Sequence, residues 1–320
     1  MPSLRRFSLS SATWRWAQAL GLLCTLALLG GLLRWPKPTL NLLWNVVVPL
    51  LPATFLISPG LWRNLCPLAS LNQLTAGRFR RWPLKGQGFA LAGMALLALL
   101  VPARRFLLNQ DGNALASIIV AVALLALILG AFFDAKAGFC NALCPVLPVE
   151  RLYGQAPWVA TGNPRCRSCT HCTFPHACLD LEPGASLSTL ARFGEAPWWR
   201  SAHGVFAAAF PGFILGYATV GDRAWAIGRI YSQVWGYALL SYLAVVLIAL
   251  LFRADPEKAL WRLGVLSIGL YYWFTAPTMA QGLGGGTFLG WSLRALTLGW
   301  VLIWALRPAL TSMQRQAVRA

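Results

Sequence analysis

Six of the chain's eight cysteines fall in the 39 residues from Cys140 to Cys178. Within that stretch, Cys166-Arg-Ser-Cys169-Thr-His-Cys172 forms a C-x2-C-x2-C run. This spacing suits three thiolates wrapped around one face of a cubane iron–sulfur cluster. Zinc sites more often use two C-x2-C pairs set apart by a longer loop, so the run favours iron–sulfur over zinc. Cysteines packed this densely also argue against inert buried thiols.

A second signature lies upstream. Cys140-Asn-Ala-Leu-Cys144-Pro145 is a C-x3-C-Pro motif. On a helical turn, residues i and i+4 share a face, so both thiolates can point at one metal centre. Pro145 suits a chain that leaves the helix there. Trp62-Arg-Asn-Leu-Cys66-Pro67 is a partial copy, with Trp62 standing where the first cysteine would be. We read the two segments as a decayed internal duplication in which Cys66 survives as a ligand. Cys24 sits within an apolar run and reads as a small buried hydrophobe.

Each cubane takes four thiolate ligands. The seven cysteines other than Cys24 fit one complete cluster plus a second with a non-cysteine ligand, or one cluster with spare thiols. Two clusters are the favoured count. Cys166, Cys169 and Cys172 anchor the first, completed by Cys178 or Cys144. Cys66, Cys140 and Cys144, with Cys178 free to join, are the candidates for the second. His171 and His176 are candidates for the remaining ligand, although such histidines more often act as outer hydrogen-bond donors.

At Cys166, Cys169 and Cys172 the segment resembles bacterial-type ferredoxins, in which the run continues as C-x3-C-Pro. Here the next cysteine is Cys178, followed by Leu179, and the inserted Phe174-Pro175-His176 departs from that pattern. Taken with the C-x3-C-Pro segments after membrane helices, residues 59–70 and 134–183 resemble the NapH/NosR/CcoG-type membrane polyferredoxins. The resemblance does not extend to the last four spans. It implies [4Fe-4S] clusters on the cytoplasmic side of a membrane and electron transfer between the quinone pool and a redox partner protein.

The elements that must position these residues are apolar. Hydrophobic residues make up 58% of the chain and charged residues 11%, against about 25% charged in a soluble domain. Eight runs approach the ~20 residues needed to cross a bilayer: about 16–34, 39–58, 87–103, 114–133, 202–220, 234–252, 262–279 and 287–306. The fold class expected is an all-α polytopic membrane protein of about eight transmembrane helices with a small cytoplasmic ferredoxin-like iron–sulfur loop domain. The expected organisation is a four-span half over 1–133 with an inner loop at 59–86, a Cys-rich segment over 134–201, and a second four-span half over 202–320. Arg5-Arg6-Phe7 precedes the first run, but no small-residue cleavage site follows, so it reads as a retained span.

The net charge of +18 raises nucleic acid as a partner. The basic residues form no separate domain and sit at the ends of apolar runs, so that reading is rejected in favour of a positive-inside membrane protein. With the N-terminus inside, the inner segments hold 20 Lys and Arg, the outer loops hold six, and Arg294 lies within a span. This predicts a bacterial inner-membrane protein with both termini and every Cys-rich loop in the cytoplasm. A reducing cytoplasm excludes disulfides.

Two competitors stand beside the electron relay. One is a metal-handling or oxidase-assembly factor of the CcoG kind, against which four Met and three His offer little for a copper path. The other is a transporter with a zinc-stapled loop, which the absence of acids within the apolar runs disfavours as a proton-coupled device. A quinol-linked oxidoreductase component remains one form of the relay reading. His203 could accept a proton from a quinol, but reads more simply as a polar residue in an aromatic belt. Arg294 needs a partner within the span: a quinone, a lipid headgroup or backbone carbonyls.

Overall fold

In the computed structural model the described residues are 6–8, 10–76, 78–79, 88–133, 138–162, 197–222 and 226–317. The chain opens with a three-residue strand β1 (Arg6–Ser8) and helix α1 (Ser11–Arg34), whose N-terminus is capped by the Ser10 hydroxyl. Helix α2 covers Pro36–Ile57 and is followed by the short helices α3 (Pro59–Leu65) and α4 (Pro67–Leu74). Helix α5 (Gly88–Ala103) continues through a π-helical turn, Arg104–Leu108. Helix α6 (Gly112–Phe132) starts on an Asp111 cap. A further π-helical turn, Phe139–Leu143, leads to the short helix α7 (Leu147–Tyr153) and strand β2 (Ala160–Gly162). Four long helices complete the fold: α8 (Ala202–Thr219), α9 (Ile227–Phe252), α10 (Pro256–Gly282) and α11 (Thr287–Ala317).

Seven helices among the described residues are long and apolar enough to cross a membrane. Of the eight expected runs the one not among them is the seventh, 262–279, which lies on α10. That helix is 27 residues long, but its tyrosines, threonines and Pro277 make it too polar to join the seven. It nevertheless runs the length of α2 in the opposite direction. Near its start Gln155 donates to the Leu260 carbonyl, and at its end Asn41 donates to the Gly282 carbonyl. Between them the Tyr271 and Tyr272 hydroxyls donate to the carbonyls of Val48 and Pro49.

The prolines explain much of the side-chain bonding between helices. A proline removes its own N–H and frees the carbonyl four residues earlier, and in hydrocarbon that carbonyl must find another donor. Pro52 frees Val48, which Tyr271 serves. Pro102 frees Ala98, which receives the Trp235 indole N–H at 3.2 Å. Pro277 frees Trp273, which receives Arg294 Nε at 3.0 Å. Close helix contact is set by small residues, as expected where apolar packing alone drives association. A Cβ added at Gly212 of α8 would overlap the Tyr237 carbonyl of α9, and one at Gly216 would crowd the Val234 backbone.

The bundle has two distinct ends. At one end meet β1, which pairs in parallel with β2, the end of α2, the α3–α4 corner and the segment 139–159. Residues 158 and 159 donate from the backbone to the Leu56 and Ile57 carbonyls. Trp304 and Arg307 of α11 donate to the carbonyls of Ala156 and Pro157. The opposite end gathers Asn41, Arg104, Arg105, Asn109 and Asp222, joined by the Arg105–Asp222 ion pair at 2.8 Å.

Candidate thiol site

The two Cys-Pro segments fold alike. Cys66 ends α3 and Pro67 begins α4. Cys144 ends the turn Phe139–Leu143, and α7 begins three residues later at Leu147. Cys66 has φ −59° and ψ 123°, and Cys144 has φ −62° and ψ 117°. A following proline disfavours the α conformation and drives the preceding residue to this region. Each cysteine N–H closes the helical turn behind it, to Trp62 at 2.8 Å and to Phe139 at 2.9 Å. The latter bond makes the Cys140–Cys144 turn π-helical, where an α-helical turn was expected.

Each sulfur faces the N-terminus of the segment that follows it. The backbone amides of Ala69 and Leu68 lie beside the Cys66 thiol and those of Val146 and Leu147 beside the Cys144 thiol, where each lowers the cost of a thiolate. Such donors favour thiolate over thiol. Burial acts in the opposite direction and wins. It raises Cys66 above the usual thiol range, and pushes Cys144 up to about 12 with help from Cys66 and Glu150. The two Cys-Pro corners meet at one apolar cluster, where Cys66 and Cys144 pack against Cys140, Phe139, Ala69 and Ala126.

Charged residues that sequence patterning missed lie buried behind these corners. Arg63, three residues before Cys66, donates Nε to Glu150 Oε1 at 2.8 Å. Both are almost fully buried. The pair ties the helix before the first Cys-Pro corner to the helix after the second. Next to it, Arg151 Nη1 lies 2.9 Å from His203 Nε2. A guanidinium has no acceptor, so Nε2 accepts and the ring proton sits on Nδ1. Burial lowers Arg151 to about 9, with the nearby Arg63 adding to the effect and Glu150 opposing it. His203 is thus a buried partner of Arg151, not an interfacial belt residue. The only signal in the sequence was the Glu150-Arg151 pair within the apolar stretch 145–153.

Cys166, Cys169, Cys172 and Cys178 lie outside the described residues, as do His171 and His176. Among the described residues no three His, Cys, Asp or Glu side chains form a metal-holding group. Cys24 is exposed on the surface of α1, where a small buried hydrophobe was expected. Arg294 is accounted for by the Trp273 carbonyl, with its guanidinium 4.4 Å and 4.5 Å from the rings of Trp273 and Trp291.

Together these features describe a helical membrane-type bundle with a pair of half-buried thiols at one end. Compared with known proteins, the chain matches no family model, no characterised protein and no solved structure.

Proposed function

We propose that this protein relays electrons at a membrane through [4Fe-4S] clusters held by its cysteines, between the quinone pool and a redox partner protein. The observation that carries the reading is the convergence of Cys66 and Cys144, each at a Cys-Pro corner, on one apolar cluster that also holds Cys140. The donor set suits an iron–sulfur group: soft thiolate ligands, amide hydrogen bonds to sulfur, and an apolar surround. Strand pairing of β1 with β2 puts the chain leading to Cys166 at the same end of the bundle. This supports a site completed by that connection, with Cys66, Cys140 and Cys144 on the bundle side and Cys166, Cys169, Cys172 and Cys178 on the other.

A bound cluster would supply a one-electron relay. The protein's own part is positioning. The Cys-Pro corners fix where the sulfurs point. The amides of Leu68, Ala69, Val146 and Leu147 hold negative charge on them. The Arg63–Glu150 pair locks the two corners together, and the surrounding apolar cluster limits water. The charge bias along the chain supports cytoplasmic termini and a bacterial inner membrane. The test is optical: protein isolated without oxygen should be brown, with broad absorption near ~400 nm that bleaches on reduction. Colourless protein carrying stoichiometric zinc would overturn the reading.

A further inference from the structure

A cavity of about 770 Å³, within the usual range for small-molecule sites, lies inside the bundle. It runs from Arg104 and Asn109 at the end opposite the thiols to Val146, Val149 and Tyr153 just beyond Cys144. Its middle is apolar and aromatic, with Phe55, Phe213 and Phe274 in the wall. Pro49 and Pro52 of α2 also line it. Without their N–H groups they leave the helix no extra donors to offer there.

Two independent observations say what fits. First, the Tyr153 hydroxyl is buried and has no hydrogen-bond partner. A buried hydroxyl in that state is costly unless something accepts its proton. Burial also holds the phenol protonated, well above its ordinary range, so it remains a donor. Second, Leu97, Phe210 and Phe213 line both this cavity and a second groove of about 500 Å³. That groove lies between α5, α8 and α9, and its wall includes the outward-facing Leu91, Val205 and Trp235. The cavity therefore has an apolar wall in common with the lipid-facing surface, close to the Tyr153 end.

We propose that this cavity binds a membrane-dissolved molecule with a carbonyl-bearing head and a long apolar tail. The head lies at Tyr153, whose hydroxyl donates to the carbonyl. The tail leaves between α5 and α8, past Leu97 and Phe210. Quinones with a prenyl tail and ester-linked lipids share this chemistry. The choice of a carbonyl head rests partly on the relay reading above, but occupancy does not require a cluster.

The test uses the full chain in detergent, stripped of iron, with thermal unfolding and native mass spectrometry as readouts. The probes are a decyl-tailed benzoquinone and, separately, a diacyl phosphatidylglycerol. One of them should bind saturably and raise the melting temperature. Tyr153→Phe should leave the ligand-free protein no less stable, because the lost hydroxyl has no partner. It should weaken binding about five-fold, as for one neutral hydrogen bond. Leu97→Phe, which narrows the exit, should weaken the same probe while Tyr153 is intact. Binding of the benzoquinone assigns the head as a quinone, and binding of the lipid alone assigns it as an ester. Binding of neither probe, or equal binding by wild type and Tyr153→Phe, overturns the proposal. A loss of stability in ligand-free Tyr153→Phe would also overturn it, by giving the hydroxyl a structural role instead.

Discussion

Cys66 and Cys144 share one backbone conformation at two Cys-Pro corners and pack against the same apolar cluster. A single helix-to-helix corner with a buried cysteine is ordinary in energy terms. Two of them, packed against one apolar cluster with Cys140, are less ordinary and bring three cysteines to one place.

Cys144 should therefore be a slow nucleophile in metal-free protein. The thiolate is the reactive form, and the Cys144 thiol is pushed up to about 12. Raising pH toward that value increases the thiolate fraction, so alkylation should accelerate steadily above about pH 9 and show no plateau near the usual thiol range. Mass-spectrometric timing of iodoacetamide labelling checks this. A plateau by about pH 8 would contradict the burial that the structure gives this side chain.

The Arg63–Glu150 pair joins the two corners, and removing one member leaves a buried charge. Glu150→Gln or Arg63→Met alone should destabilise the folded protein by about 3–5 kcal/mol. The double variant should recover much of that loss, because it leaves neither charge behind. Thermal or denaturant unfolding in detergent provides the cycle. Purely additive losses would mean that the two side chains act independently.

Arg294 and Pro277 are coupled in the same way across α10 and α11. Arg294→Leu leaves the Trp273 carbonyl without the donor that Pro277 already denied it, a loss of about 1–3 kcal/mol. Pro277→Ala in that background restores an N–H to the helix and should return part of the stability. If the second change brings further loss instead, the carbonyl is not the reason for the arginine.

Topology gives a prediction independent of any metal. Single cysteines placed at Lys37 and at Lys258, in a background without Cys24, should differ in access to an impermeant thiol reagent added to intact cells. The charge bias predicts labelling at position 37 and protection at 258. The reverse pattern would invert the molecule and place the thiol site outside.

The apolar runs made the bundle legible, because a bilayer demands length and oiliness that few other constraints produce. Span limits moved by a few residues; the sixth, read from 234, begins at Ile227. The run at 262–279 was the hard case. Tyr271, Tyr272 and Thr275 lower its hydropathy, yet all three serve carbonyls of α2 or of their own helix. The two Cys-Pro corners were legible as spacing, since C-x3-C-Pro and its copy lie in contiguous residues. The supporting charges were not. Glu150 meets Arg63 from 87 positions away, and Arg151 meets His203 from 52. No local pattern announces such a partner. The same holds for Tyr153, whose meaning comes only from the cavity beside it.

Acid-labile sulfide, measured together with iron in protein isolated without oxygen, tests the central claim most directly. The account predicts iron and sulfide in equal amounts in the wild type, a loss of at least half of both in Cys169→Ser and a clear loss in the Cys66→Ser, Cys144→Ser double variant, with Cys24→Ser unchanged. Wild-type protein that is folded but free of labile sulfide, or a Cys169→Ser variant with undiminished iron, would contradict it.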